Sequence, residues 1–365
     1  MASTTVTAGH REISGQSTTP WLPVALTLAI LVLVASIFWI DSRYPALYKK
    51  FHQGANVRVR GAITFDNVLP VTPAMPLPKR VAFTTVNWLA ANRVGMTFGF
   101  LFGAGLLSLL PRLKRAATNN PYKNVLWGTL AGVPLGVCAN CVAPIGQGLY
   151  ASGVRRESAL ATMISSPTLN VVVLAALFSL FPLPLAALKL GMTFLVLLVF
   201  LPRLAAKSVS ADSSGTCAVP AAEALSWNHA LFTTLKTYLK NLWYLLRTAG
   251  LLMLLAAALG ALAIELIPQT ALHAAVTPLR LTAVAIVGTF LPVPMAFDVF
   301  ASFVALRSGV PLPYVATLLC TLGAYSVYSF LVTGKAISWR TASSVFAAIS
   351  LTGILAGIAT AAFLS

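Results

Sequence analysis

Charge is what this sequence has least of. Only 9% of its 365 residues are charged, against about 25% in an ordinary soluble domain. Acidic residues are scarcest: 8 Asp and Glu face 25 Lys and Arg, a net charge of +17. A chain that is 58% hydrophobic, with mean hydropathy +0.85, cannot be wetted on all sides. The composition therefore excludes a soluble globular domain and points to an integral membrane protein. No basic stripe with interleaved aromatics is present, so the positive balance does not read as a nucleic-acid surface; basic loops that set topology and meet anionic lipid explain it better.

Other absences narrow the function. There are four histidines, His10, His52, His229 and His273, all in tail, loop or interface positions. No H-E-x-x-H, G-x-S-x-G or Walker pattern exists. The chain is therefore expected not to be an enzyme and to need no cofactor, and any transport it performs is not driven by its own ATP site. Four cysteines, Cys138, Cys141, Cys217 and Cys320, are too few and scattered for a secreted disulfide scaffold. With no second C-x-x-C and no His pair, a four-ligand structural zinc site is also excluded.

What the chain does contain is membrane-length apolar runs. Residues 1–20 read as a flexible polar tail. The run Trp21–Ile40 that follows is about 20 residues, long enough to span. It lacks an adjoining basic region and a small-residue cleavage site, so a retained first helix is expected rather than a cleaved signal. Further runs fall at Val81–Leu110, Asn124–Tyr150, Ser158–Phe181 and Leu185–Leu201. After a polar linker at 202–226, an amphipathic entry carrying Lys236, Lys240 and Arg247 leads into a run ending near Ile267. Leu281–Leu306, Pro311–Val332 and Thr341–Leu364 complete the set. The runs are continuous rather than alternating, so they are helices and not barrel strands. The expectation is an all-α integral membrane protein with about nine transmembrane helices, in two halves at 21–201 and 227–365.

The halves share a layout. A Pro-broken segment ends in "ASGV" at Ala151–Val154, and a second, "FLPVPMAFDVFASFVALRSGV", ends in Ser308–Val310. Each is followed by an apolar run interrupted by small and polar residues, "SSPTLN" and "LGAYSVYS". This predicts an internal repeat with Pro-broken or re-entrant segments, the arrangement that places a transporter's site at the repeat interface.

The chemistry sits at the breaks. In "GVPLGVCANCVAPIGQGLY" (132–150), prolines and glycines interrupt a stretch with no charge from Asn124 through Val154. Backbone freed by a break is tolerated at membrane depth only inside protein or against a watery cavity. Cys138 and Cys141 lie in C-x-x-C spacing with Asn140 between them and Pro144 beyond. Two sulfurs so placed can hold a thiophilic ion transiently or form a disulfide; they can also pack as small apolar residues. In "SSPTLN", Ser166, Pro167, Thr168 and Asn170 either glue helices or line the same cavity. Asp298, in "PVPMAFDVF", is costly at membrane depth. It is either a coupling carboxyl that takes up a proton or the structural partner of Arg93, the other charge inside an apolar run. Lys189 and Glu265 are expected to be shallower and to snorkel.

The stretch Trp127–Leu177 resembles the predicted permease family related to bacterial organoarsenical efflux permeases. The resemblance is carried by Pro134 with Cys138 and Cys141, then Pro144, Gly148, Leu149 and Gly153, then Pro167, Leu169 and Asn170. The family's usual C-x-C is here C-x-x-C, which alters the sulfur geometry. The resemblance implies a multi-pass permease of the bacterial inner membrane and does not fix the substrate.

Two functions follow from these readings. One is a secondary permease for a small solute, including a thiophilic metal or metalloid species, with Cys138 and Cys141 as transient ligands, Asn140, Pro144, Ser166, Pro167, Thr168 and Asn170 lining the path, and Asp298 and Arg93 in coupling. The alternative is a thiol–disulfide carrier in which Cys138 and Cys141 cycle between dithiol and disulfide. Partners expected are membrane lipid, the solute and a second copy of the chain, with no nucleic acid.

Overall fold

The structure, a computed structural model, describes residues 21–53, 68–113, 119–206, 227–266 and 272–363. The expected tail at 1–20 lies outside them, as do residues 207–226 of the expected linker. Among the described residues the chain is all helix, with no strand.

Among the described residues, five helices are long and apolar enough to cross a membrane. They are α1 (Trp21–Tyr48), α2 (Leu77–Arg112), α7 (Leu183–Leu204), α8 (Trp227–Leu266) and α13 (Trp339–Phe363). The other four of the nine expected runs are each split into two short helices. These are α3 (Pro121–Gly132) with α4 (Ala139–Ala151), α5 (Arg156–Thr168) with α6 (Val171–Leu180), α9 (Pro278–Phe290) with α10 (Phe297–Arg307), and α11 (Leu312–Thr321) with α12 (Val327–Ala336). The pair α5–α6 is bent by 43° and counts as a sixth span if taken as one. The nine runs are thus five unbroken helices and four broken ones, and the breaks decide the architecture.

Side-chain register gives each short helix its direction. Asn124 donates to Glu157 at 2.7 Å near the start of α3 and α5, and Thr162 donates to the Gly128 carbonyl at 2.9 Å further along. So α3 and α5 run the same way. Helix α4 runs against α5: a tight turn at 152–155 joins them, and at their far ends the Val137 amide donates to Ser166 Oγ at 3.3 Å. Hence α3 enters, the chain turns through Val133–Leu135 and Gly136, and α4 returns to the face from which α3 came. This is a hairpin whose two arms run antiparallel, not one helix bent at a break. The turn depends on Gly136, whose φ of +59° is left-handed and costs a glycine little.

The second half has the same order. Tyr314 donates to the Ala275 carbonyl at 3.0 Å before α9, and Gly288 near the end of α9 packs on Thr321 at the end of α11. Those two helices are parallel, and α10 returns antiparallel to α11. The second hairpin, α9–α10, enters from the opposite end of the bundle. The evidence is its neighbours: α4 starts beside α12, where Ser329 Oγ donates to the Ala139 carbonyl at 2.7 Å, while Phe303 of α10 stacks edge-on at 6.0 Å on Phe181, just beyond α6.

Glycine seams let the short helices approach this closely. Gly95, Gly99 and Gly103 lie one turn apart on α2, and a Cβ at each would run into Cys141 or Pro144 of α4. Small residues at such spacing bring helix backbones together in a membrane, where no hydrophobic drive exists between helices. Gly353 and Gly357 of α13 do the same against Thr317 and Thr321 of α11.

Candidate functional site at the hairpin crossing

The two hairpin turns meet in the middle of the bundle. Asn140 is wholly buried, and its Nδ2 donates at 2.9 Å to the carbonyl of Val293, in the break before α10. Its Oδ1 is buried without a partner. Trp88 of α2 donates its indole N–H to the neighbouring Pro292 carbonyl. Breaking the helices exposes such carbonyls, and a buried carbonyl needs a donor; Asn140 and Trp88 supply two.

Cys138 and Cys141 are joined as a disulfide. The local sequence explains the position: Cys138 is the N-cap of α4, with extended backbone, and its sulfur accepts from the Cys141 amide at 3.1 Å. Both residues are at most 3% exposed. Asn92 of α2 places its Oδ1 3.7 Å from Cys138 Sγ, a contact that is a hydrogen bond only when the sulfur carries a proton. The pair therefore has one arrangement for the oxidised state and a waiting acceptor for the reduced one. In alkylation of the denatured protein, reduction should raise the number of reactive thiols by two in the wild type and by none in a Cys138→Ser/Cys141→Ser variant.

The residues of "SSPTLN" are brought to the same turn. Ser166 holds the backbone of Val137, with its hydroxyl 3.4 Å from that residue's carbonyl. Asn170 is the N-cap of α6, accepting from the Val172 and Val173 amides at 3.1 and 3.0 Å and donating to the Ser166 carbonyl at 2.6 Å. Thr168 is bonded back to the Ile164 carbonyl. Pro167 ends α5, and Pro144 packs its carbonyl against Gly103. These side chains thus hold the breaks in shape.

Asp298 departs from expectation. It lies in the first turn of α10, 3% exposed, and is ion-paired with Lys189 of α7, itself 2% exposed. Arg93 is not its partner: it is exposed, on a groove of about 410 Å³ between α1 and α2 that also carries Asp41. Lys189 does not snorkel, because α7 is packed against α11 and α13 and the side chain turns inward to Asp298 rather than out to lipid. Its Nζ also donates at 2.9 Å to the Leu319 carbonyl, which the break at Gly323 leaves without its helical donor. The charges match the local dipoles: carboxylate at the start of α10, ammonium at the end of α11. Beside the pair is a small cavity with room for about one water, lined in part by Thr168, Thr193, Cys320 and Thr352. Glu265, also expected to snorkel, is bound by Arg80 at 2.9 Å.

Sequence reasoning missed Lys189, whose signal was a lone lysine inside the apolar run Leu185–Leu201. It also missed Trp88 and Ser329, for which no sequence signal existed, since their partners lie 204 and 190 residues away.

Over 358 residues, 95% of this chain and 97% of the other, the protein is 24% identical to UPF0718 protein YraQ of Escherichia coli (strain K12). No family model matches the chain. No solved structure matches it either.

Proposed function

We propose that this multi-pass, all-α membrane protein is a secondary permease of a bacterial inner membrane, moving a small solute without converting it chemically. The observation that carries this reading is the meeting of two hairpins, entering from opposite ends, at the Asn140–Val293 contact. A site formed by broken helices at the interface of two like halves suits alternating access, since rocking one half against the other opens it to each face in turn. The matching order of α3–α7 and α9–α13 supports reading the halves as an internal repeat of inverted topology. The near-full-length similarity to a bacterial protein supports the location.

In this reading Cys138 and Cys141, once reduced, are transient ligands for a thiophilic metal or metalloid species, with Asn140, Ser166, Thr168 and Asn170 shaping the path. Asp298 takes up the coupling proton, and Lys189, rather than Arg93, is the charge it works against. Cells expressing the protein, challenged with soft metals and arsenicals, should change their content of one cargo. The Cys138→Ser/Cys141→Ser variant at equal membrane abundance should abolish that change. An unaltered content across the whole panel would sink the soft-ion cargo.

The disulfide favours a second reading, a thiol–disulfide carrier. Two electrons and two protons from a dithiol donor on one face would open the Cys138–Cys141 bond, and a disulfide acceptor on the other would re-form it. Trapping the redox state of the pair in living cells separates the two: a carrier's pair turns over with donor supply, while a permease's does not.

A further inference from the structure

The Asp298–Lys189 pair leaves Arg93 without the partner its place in an apolar run suggests. Arg93 and Asp41 are both exposed, and both line the groove of about 410 Å³ between α1 and α2. Neither takes part in an ion pair: those among the described residues are Arg80–Glu265 and Lys189–Asp298. Two opposite charges thus share a groove without meeting, and each is free to meet a charge brought from outside. Arg43, in the same turn of α1 as Asp41, is buried and stacked on Phe38, and is not one of the groups lining the groove.

The rest of the groove is largely apolar. Val34, Ile37, Val94 and Leu101 wall it, and Ile37 and Val94 are 51% and 50% exposed. The two helices are antiparallel here: Phe38 stacks on Phe98 with ring centroids 4.0 Å apart, and Leu31 packs on Gly105. That register brings Arg93 level with the turn that carries Asp41. Both charges therefore stand at one end, and the apolar wall runs away from them past Ile37 to Val34 and Leu101. Exposed Tyr44 and Tyr48 follow Asp41 on α1, as aromatics do where an apolar run reaches the headgroups. A charged mouth at headgroup level, opening on an apolar channel, is complementary to a phospholipid.

The charges decide which one. A phosphate suits the guanidinium fork of Arg93, and a primary ammonium suits the Asp41 carboxylate. Phosphatidylethanolamine carries both. Phosphatidylglycerol offers Asp41 no cation, and the quaternary ammonium of phosphatidylcholine has no N–H to donate to it. A second copy of this chain fits less well: in a two-fold contact a surface meets itself, and a groove does not fill a groove.

We propose that the α1–α2 groove binds one molecule of phosphatidylethanolamine, with its phosphate on Arg93, its ammonium on Asp41 and an acyl chain along Val34 and Leu101. The site is separate from the hairpin crossing and does not depend on the permease reading. Bound lipid ties together two helices that hold the first hairpin: α1 through Trp39 on the Pro134 carbonyl at 3.2 Å, and α2 through Gly95 and Gly99 on Cys141.

The test is thermal unfolding of the purified full-length protein in neutral detergent, titrated with phosphatidylethanolamine, phosphatidylglycerol or phosphatidylcholine of identical acyl chains. Phosphatidylethanolamine should raise the wild-type melting temperature saturably, and at lower concentration than the other two. Asp41→Asn should weaken its apparent affinity about fivefold and leave that of phosphatidylglycerol no weaker, whereas Arg93→Gln should weaken both. Val94→Trp, at an exposed position, should fill the groove and abolish the effect with both charges in place. The proposal is overturned if phosphatidylethanolamine is no better than the other lipids, if either charge variant keeps the wild-type affinity for it, or if Val94→Trp responds as the wild type does. It is also overturned if the lipid-free protein is a dimer that Asp41→Asn or Arg93→Gln dissociates, since a second copy would then cover the groove.

Discussion

Replacing Asp298 by Ala is expected to cost about 3–5 kcal/mol, the usual penalty for leaving one member of a buried ion pair without the other. The Lys189 ammonium would keep only the Leu319 carbonyl, in surroundings where water reaches it poorly. Lys189→Met should cost a similar amount, because the Asp298 carboxylate then has no cation. The double variant Lys189→Met/Asp298→Leu should recover most of the loss, since a well-packed apolar pair of similar volume often replaces a buried salt bridge without penalty. Unfolding of the three variants in one detergent measures this as a double-mutant cycle. If the single losses simply add in the double variant, the two groups do not act on each other. The same series bears on coupling: a double variant that is stable yet has lost proton-linked transport would place the coupling proton on this pair. One that is stable and still coupled would remove Asp298 from that role.

Gly99→Val should be the most damaging single change on the other side of the crossing. A Cβ at Gly99 would strike the Cys141 carbonyl, a backbone atom that cannot swing aside. Either α2 or the first hairpin must shift. Overpacking of this kind costs about 1–3 kcal/mol, and more where backbone is the obstacle. Because Asn140 and Cys141 are adjacent, the displacement should also break the Asn140–Val293 contact and ease reduction of the Cys138–Cys141 bond. Gly191→Ala on α7 is the control: nothing lies within 4 Å of its added Cβ, and it should be neutral or stabilising by about 0.5–1 kcal/mol. Equal melting temperatures for Gly99→Val and Gly191→Ala would show that the α2–α4 seam is loose.

The contrast between Lys189 and the helices around it shows how far the sequence could be read. All nine runs were visible because lipid selects apolar side chains whatever the tertiary fold, and Pro134, Pro144, Pro167 and the glycines marked where the runs break. That a break turns the chain back, as at Gly136, or merely bends it, as between α5 and α6, is decided by packing: Gly128 against Ser158 and Ala161 for α3, for which no local pattern exists. The C-x-x-C spacing made the sulfurs neighbours without help from the fold. Lys189 was misread because snorkelling assumes a lipid-facing helix, and its partner Asp298 is 109 residues away. Arg43 follows an apolar run, where an arginine normally meets headgroups, yet it is buried, with its guanidinium stacked on Phe38.

The shortness of the eight half-helices also bears on how the protein comes to be made. At 10–13 residues each, none is long enough to be recognised as a span while it leaves the ribosome, a step that selects about 20 apolar residues. Their open ends would be expensive in bare lipid. The five long helices, with α5–α6 as a sixth span if the bent pair is taken as one, are therefore the segments expected to enter first and build the glycine-lined slots. The first hairpin can be threaded once α2 is in place, but Val293, against which it closes, is synthesised some 150 residues later. Assembly is thus a two-step process in which the membrane accepts the scaffold during translation and the centre closes afterwards. A chain halted before residue 293 should hold its first hairpin open to protease and to thiol reagents, and the completed one should not.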